Sequence, residues 1–208
     1  MHVHRRVIKL GGSLLELPDV GKRFHAWLVC QSPAANLVIA GGGSVVDSIR
    51  KADAVHRFDE AQAHWLCVRA MSTTAQLGAE LLGAQLVHDV PAEVREGALQ
   101  VLDVQRFVES ECRRQDIPLP STWDVTSDSI AARVAERIGA ELVLLKSATA
   151  PDWQNLSELA GAGYVDRYFP QAAARLPVVR FVNLRSNEFA EQCLADSKKF
   201  GWQLTSDH

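Results

Sequence analysis

The sequence has little of what marks disulfide-rich, zinc-binding or redox proteins. Its 208 residues include only four cysteines, at positions 30, 67, 112 and 193, and no two of them form a CxxC pair. This spacing matches neither a zinc site nor a thioredoxin-like motif. A disulfide framework is not expected in a chain of this length.

Long apolar runs, a leader segment and a large net charge are missing as well. No run of apolar residues is long enough to cross a bilayer, and no charged-plus-apolar signal peptide is present. The formal net charge of −3 gives no reason to expect a polyanion as partner. We therefore expect a cytoplasmic protein that binds neither nucleic acid nor membranes.

Apolar strand-like runs alternate with amphipathic helical segments along the chain. The strand-like runs are almost continuously apolar, which is typical of strands that are covered on both faces. The alternation predicts an α/β fold, a three-layer α/β/α sandwich with a mostly parallel central sheet. The predicted strands are 6–10, 36–40, 84–88, 98–102, 141–146 and 177–184, and the predicted helices are 18–31, 44–52, 59–82, 104–114, 127–138 and 187–200.

Two of the predicted strands end in glycine-rich loops. Gly11, Gly12 and Ser13 follow the first strand, and residues 41–44 (GGGS) follow the second strand and open a helix. Ligands bind beyond the carboxyl ends of the strands in open parallel sheets. Backbone N–H groups in such loops can approach an anion closely, and a helix N-terminus favours phosphate. For either loop alone, a plain tight turn remains the alternative.

Neither loop matches a standard nucleotide-binding motif. The P-loop pattern GxxxxGK[ST] is absent, which disfavours a P-loop enzyme. In GGGSVV, residues 41–46, a valine stands where a third glycine would complete the dinucleotide fingerprint. A nicotinamide-dependent oxidoreductase is therefore disfavoured too.

Two charged residues are the main catalytic candidates. Lys9 lies on the first strand, where an ammonium group is costly unless it is paired or reaches an anion at the strand end. A lysine that snorkels from an edge strand is the alternative. Asp128 follows Thr126 and Ser127, two good cap residues, in the first turn of a predicted helix. Asp128 either caps the helix or orients lysines near transferring phosphates.

Together these segments resemble the amino acid kinase superfamily, which includes acetylglutamate, aspartate, uridylate and isopentenyl phosphate kinases. The resemblance rests on VIKLGGSLL (7–15), LVIAGGGSVVD (37–47) and TSDSIAARVAERIGAELVLL (126–145), in that order. It implies transfer of the γ-phosphoryl group of ATP to a carboxylate, carbamate or phosphate, with Mg²⁺ on the ATP oxygens. It also implies one domain over 1–208, with an acceptor-side half of about 1–120 and a nucleotide-side half of about 121–208.

Further segments resemble a narrower group, the small kinases of methanofuran- and tetrahydromethanopterin-linked one-carbon metabolism. Methanogen relatives of that group phosphorylate an aminomethylfuran-methyl phosphate to the diphosphate. The resemblance implies a small-molecule phosphate as acceptor, in preference to a carboxylate, and a homo-oligomer. The segments are RFDEAQAHWLCVRAM (57–71), WDVTSDSIAA (123–132), LVLLKS (142–147) and GYVDRYFP (163–170).

The superfamily resemblance also implies roles for individual residues. Lys9 would neutralise the transferring phosphoryl group, and Asp128 would hold the active-site lysines in place. No protein side chain is implied as a metal ligand. The other implied residues are Gly11, Gly12, Ser13 and Lys146 for the ATP phosphates, and Gly42, Gly43 and Arg50 for the acceptor.

The acceptor end of the site is the least defined by sequence. Arg50, His56 and His64 could each bind a phosphate on the acceptor. Arg50 could equally be a solvated helix cation, and His64 could be a histidine packed beside Trp65.

The chain departs from the superfamily after the strand at 141–145. Many members continue with Thr-Asp and an Asp-Gly turn that helps to hold the nucleotide, whereas this chain reads LLKSATAPDW (144–153). A non-catalytic protein that binds a nucleotide or an oxyanion on the same fold is therefore the alternative to a kinase.

Overall fold

One eight-stranded sheet organises residues 3–196 and 202–205, the part of the chain that the structure, a computed structural model, describes. The strands are β1 Arg5–Leu10, β2 Ala35–Ala40, β3 Gln85–Val87, β4 Leu99–Leu102, β5 Glu141–Lys146, β6 Val178–Asn183, β7 Glu191–Asp196 and β8 Trp202–Thr205. The helices are α1 Val20–Leu28, α2 Gly43–His56, α3 Glu60–Leu82, α4 Gln105–Cys112, α5 Ser127–Ile138, α6 Leu156–Gly161 and α7 Phe169–Ala172.

The strand order places β1 at a turning point of the sheet. The order is β3-β4-β2-β1-β5-β6-β7-β8, and β1 to β6 pair in parallel. From β1 the chain builds the sheet toward β2, and later it returns to the other side of β1 with β5. Such a reversal opens a crevice at the carboxyl ends of the two strands, where ligands bind in folds of this kind. The end of β1 and the end of β5 are therefore the places to look for a site.

Two apolar clusters cover the two faces of the sheet. Side chains alternate along a strand, so Val7 faces one layer and Ile8 faces the other. The layer on the Val7 side is built from α2, the first half of α3, and α4 to α7. The layer on the Ile8 side is built from α1 and the second half of α3. The predicted α/β/α sandwich with a mostly parallel sheet is confirmed.

The carboxyl-terminal region differs from the prediction. The helix predicted over 187–200 is wrong for residues 187–196: residues 187–190 form a turn and irregular backbone, and residues 191–196 form β7, which pairs antiparallel with β6. Residues 197–200 lie outside the described part of the chain. β7 lies between β6 and β8 and pairs antiparallel with both. Strand pairing depends on backbone hydrogen bonds, so the mixed polarity that indicated a solvated helix is compatible with a strand.

The helices include two that the sequence pattern did not reveal, α6 and α7. They have six and four residues, too few for a helical period to be visible in the sequence. Among the described helices, none is both long enough and apolar enough to span a membrane.

Candidate active site

The two glycine loops touch each other at the carboxyl ends of β1 and β2. A Cβ added to Gly12 would lie 2.2 Å from the backbone nitrogen of Gly43, and one added to Gly43 would lie 2.8 Å from the carbonyl oxygen of Gly12. Gly43 also has a φ of 52°, in the left-handed region that glycine adopts without strain. Because backbone meets backbone here, only glycine fits at either position.

Asp128 lies between two lysines from neighbouring strands. Its Oδ1 is 2.8 Å from Nζ of Lys9, and its Oδ2 accepts a hydrogen bond of 2.6 Å from Nζ of Lys146. Lys146 Nζ also donates to the carbonyl oxygen of Tyr164 at 2.7 Å. Asp128 and Lys9 are only 4% and 5% exposed. We call Lys9, Asp128 and Lys146 the lysine–aspartate triad.

Strand register and helix placement bring the triad together. Lys9 pairs in register with Leu144, so Lys146 lies two residues further along the neighbouring strand and on the same face. Helix α5 packs across β1 on that face, and Asp128 is the second residue of α5. A strand lysine, a strand-end lysine and a helix-start carboxylate thus converge at the turning point of the sheet.

The charges of the triad are strongly coupled. Burial by itself would raise the pKa of Asp128, but the charges of Lys146 and Lys9 outweigh burial and lower the pKa to about 2. Burial also lowers the pKa of Lys146; the charge of Asp128 opposes this change and that of Lys9 adds to it. Within the triad, two ammonium groups and one carboxylate leave a formal excess of one positive charge, and the nearby Asp166 carboxylate also acts on Lys146. An anion would compensate that charge.

Asp166 fixes the start of α5, and with it Asp128. Its Oδ2 accepts hydrogen bonds from the backbone N–H groups of Thr126 and Ser129, both at 3.0 Å, and from the Thr126 hydroxyl at 2.8 Å. The Ser129 hydroxyl donates to its other oxygen. Thr126 occupies the cap position, but its side chain caps no backbone group, so the predicted capping role is wrong.

Burial and the nearby charge of Asp128 raise the pKa of Asp166. Sequence reasoning missed this residue because it lies 40 positions after Thr126 and 37 after Ser129. No local pattern links residues so far apart. The one available signal was an acidic residue within GYVDRYFP that directly follows Tyr164 and Val165.

A cavity of about 250 Å³ opens beside the glycine loops. One side is formed by backbone of the two loops and the start of α2, at Gly12, Gly42 and Gly43. The other sides carry apolar and aromatic side chains from α2, α3, α5 and the segment before α5. These side chains are Val46, Val68, Met71, Trp123, Val125 and Ile130.

The structure places Arg50 and His64 at this cavity, but His56 is not among its lining residues. The Arg50 guanidinium contacts Asp47 at 3.0 Å and lies 5.8 Å from the centre of the Trp123 ring. His64 is buried and makes an edge contact with Trp65, as one of the sequence interpretations expected. His56 is exposed and stacks on Phe58.

The predicted ATP-phosphate residues form a second group, at the ends of β1 and β5. The backbone N–H of Gly11 donates to the carbonyl oxygen of Leu145 at 2.9 Å, and the Ser13 hydroxyl donates to the Ser147 hydroxyl at 2.9 Å. The first glycine loop is thereby tied to the strand end that carries Lys146. The roles of these residues toward ATP remain predictions.

Comparison with known proteins gives the class of this chain. A model of the amino acid kinase family matches residues 4–149, more than half of the 208 residues. The chain therefore belongs to the amino acid kinase family. A comparison of the sequence with curated proteins returns no significant match.

Solved structures share the fold at low sequence identity. Uridylate kinase from Archaeoglobus fulgidus aligns with a TM-score of 0.54 and 16% identity over 85% of this chain and 88% of its own. UMP kinase from Bacillus anthracis aligns with a TM-score of 0.60 and 11% identity over 90% of each chain. Aspartate kinase from Synechocystis aligns with a TM-score of 0.53 and 12% identity over 86% of this chain and 37% of its own.

We predict that Gly12→Ala destabilises the protein, because the added methyl group meets the backbone of Gly43. Overpacking of this kind should lower the free energy of unfolding by about 1–3 kcal/mol. Urea unfolding at pH 7 measures the change. Gly161→Ala is the matched control, since a Cβ there meets no atom within 4 Å. Equal stability of the two variants would contradict the contact between the loops.

Asp166 gives a second prediction, on stability. Asp166→Ala removes the acceptor of two backbone N–H groups and should cost about 2 kcal/mol or more. Asp166→Asn keeps a carbonyl acceptor and removes the charge, so its loss should be under about 1 kcal/mol. The exposed Asp152→Ala serves as control.

The stability of Asp166→Asn relative to the wild-type protein should also depend on pH. The pKa of Asp166 is raised in the folded state, so its ionisation weakens the wild-type protein as pH rises through that pKa. The asparagine variant has no carboxyl group at this position, so it does not lose stability in this way. The stability of Asp166→Asn relative to wild type should therefore increase between about pH 4 and pH 7. Urea unfolding at both pH values checks it, and a constant difference would contradict the proposed burial of the charge.

Proposed function

We propose that the protein is an ATP-dependent kinase that transfers the γ-phosphoryl group to a small-molecule phosphate acceptor. The observation that carries the proposal is the buried lysine–aspartate triad beside two touching glycine loops and a cavity. The triad offers a fixed excess of positive charge, and the loops offer backbone N–H groups. Membership in the amino acid kinase family supports the same activity.

Phosphoryl transfer requires positioning of the reactants and stabilisation of charge, and it needs no covalent protein intermediate. An acceptor oxygen forms a bond to the γ-phosphorus of ATP, and the bond from that phosphorus to the β–γ bridging oxygen breaks, which leaves ADP. Lys9 and Lys146 stabilise negative charge on the transferring group, and Asp128 keeps both ammonium groups in place. Gly12 and Ser13 supply backbone donors to the ATP phosphates, and Gly11, whose N–H donates to the Leu145 carbonyl, shapes the loop that wraps them.

Mg²⁺, when present, would neutralise part of the charge on the ATP oxygens. Both carboxylate oxygens of Asp128 already contact lysines, so the triad fits a direct role toward phosphate better than a role as metal ligand. The protein would hold the metal mainly through the nucleotide.

The acceptor is proposed to bind in the cavity beside Gly42, Gly43 and Arg50. A helix N-terminus and a guanidinium group favour a phosphate, and a carboxylate is the less favoured acceptor. Aminomethylfuran-methyl phosphate is our leading candidate, on the sequence resemblance to the kinases of one-carbon metabolism. The alternative, a non-catalytic nucleotide- or oxyanion-binding protein, does not require one carboxylate to hold two lysines.

We also propose that the protein acts in the cytoplasm as a homo-oligomer. Leu66, Leu77 and Leu81 of α3 are 39%, 43% and 37% exposed. Their spacing of 11 and four residues places them on one face of the helix. That face is the surface we expect a second copy to cover.

ADP release with Mg-ATP tests the kinase proposal. The panel of acceptors is aminomethylfuran-methyl phosphate, UMP, isopentenyl phosphate and acetylglutamate. We expect release that depends on one phosphate acceptor. Lys9→Ala should lower turnover by about 100-fold or more, because a fixed positive charge at the transferring group is lost. Asp128→Asn should slow transfer while ATP still binds.

Lys22→Ala, which changes an exposed lysine of α1, is the matched control and should leave turnover unchanged. The thermal midpoint of each variant shows whether the fold is retained. Full turnover in folded Lys9→Ala would contradict the assigned mechanism. ATP binding without transfer to any acceptor would favour the binding-protein alternative.

A further inference from the structure

His64 has one ring nitrogen committed within the protein and one without a partner. Nδ1 lies 3.1 Å from the carbonyl oxygen of Thr122. A carbonyl oxygen only accepts hydrogen bonds, so Nδ1 must carry the hydrogen. In a neutral ring this leaves Nε2 with a lone pair, and Nε2 is therefore a hydrogen-bond acceptor.

Burial keeps the ring neutral. It lowers the pKa of His64, although the contact with Thr122 and the charge of Glu60 oppose the change. His64 is only 3% exposed. Among the described residues, no group donates a hydrogen bond to Nε2. A buried acceptor without a donor is costly, and such groups in folded proteins call for an explanation.

The position of His64 on α3 supplies that explanation. His64, Cys67, Val68 and Met71 follow the i, i+3, i+4, i+7 spacing of one helix face, and all four line the cavity. The neighbouring wall is apolar and includes the Trp123 ring. His64 thus lies in a largely apolar wall of the cavity that also presents Gly43 and Arg50, and its buried Nε2 is an acceptor that no described residue satisfies.

We propose that Nε2 of His64 accepts a hydrogen bond from the phosphoryl acceptor, and that this substrate is a phosphate monoester whose ring carries an N–H or O–H group. The phosphate lies toward the start of α2, and the ring packs against the apolar wall. This inference rests on the proposed kinase function and names the substrate class of the same site. The edge contact with Trp65 does not satisfy Nε2 as an acceptor, so simple packing leaves it unpaired.

Binding of two matched pairs of phosphate esters tests the inference. One pair is aminomethylfuran-methyl phosphate and the analogue with a methyl group in place of the aminomethyl group. The other pair is UMP and N3-methyl-UMP, which lacks the ring N–H. Calorimetry without nucleotide measures each dissociation constant. In at least one pair, the wild-type protein should bind the donor-bearing compound about tenfold or more tightly than its analogue.

Two variants distinguish the contribution of the Nε2 lone pair from that of the rest of the His64 ring. His64→Asn keeps an N–H group for the Thr122 carbonyl and removes the acceptor at Nε2, so the preference should fall to about twofold or less. His64→Gln places an amide oxygen near the position of Nε2 and should retain part of the preference. His56→Asn, which changes an exposed histidine, should retain all of it.

Nitrogen NMR of the wild-type imidazole gives a readout that does not depend on the folding of a variant. Donor-bearing ligands should shift the Nε2 resonance of His64, and their analogues should not. An unchanged preference in folded His64→Asn, an unshifted Nε2 resonance, or no binding of either pair would each overturn the inference.

These binding measurements need no ATP, so they separate this inference from the kinase proposal. A donor preference that depends on His64, without ADP release, would contradict the kinase and leave the substrate pocket in place. ADP release with an acceptor that lacks a donor would support the kinase and overturn the role of His64.

Discussion

Two ammonium groups lie 2.8 and 2.6 Å from the oxygens of one buried carboxylate, and the rest of the site is arranged around these contacts. Neither Lys9 nor Lys146 would be stable in this place without Asp128, because an uncompensated buried charge is strongly unfavourable. Asp128 in turn depends on the start of α5, which Asp166 fixes from a distant part of the chain. The electrostatics of the site therefore depend on where α5 begins.

The sheet also brings the two glycine loops next to this charge. The parallel pairing of β1 with β2 and β5 places three strand ends side by side. The glycine loops can then touch because neither carries a side chain at the contact. Between the loops and α3 the cavity remains open, with a backbone side and an apolar side. The charged triad is thus separate from the apolar side of the cavity, where we propose that the body of the acceptor binds.

The sequence patterns predicted what depends on local or periodic features. Apolar runs located β1, β2 and β5, and the glycines after two of them located the loops. Lys9 stood out because a charge on an apolar strand needs a partner, and Asp128 stood out by its place at a helix start together with the family resemblance. Contacts between distant residues, such as Asp166 with Thr126 and Ser129, left no such pattern. The strand at 191–196 was missed because its pairing with β6 and β8 relies on backbone groups, which every sequence has.

The placement of Lys146 on a strand limits how the chain can vary in length. Side chains alternate along β5, so the insertion or deletion of one residue before Lys146 would turn the lysine to the opposite face of the sheet. After Ser147 the chain leaves the sheet, and residues 151–155 lead to α6 without contributing to the triad. Length changes in related sequences should therefore accumulate after the lysine and be rare before it. The strand end would then act as a fixed reference point from which the carboxyl-terminal part can diverge.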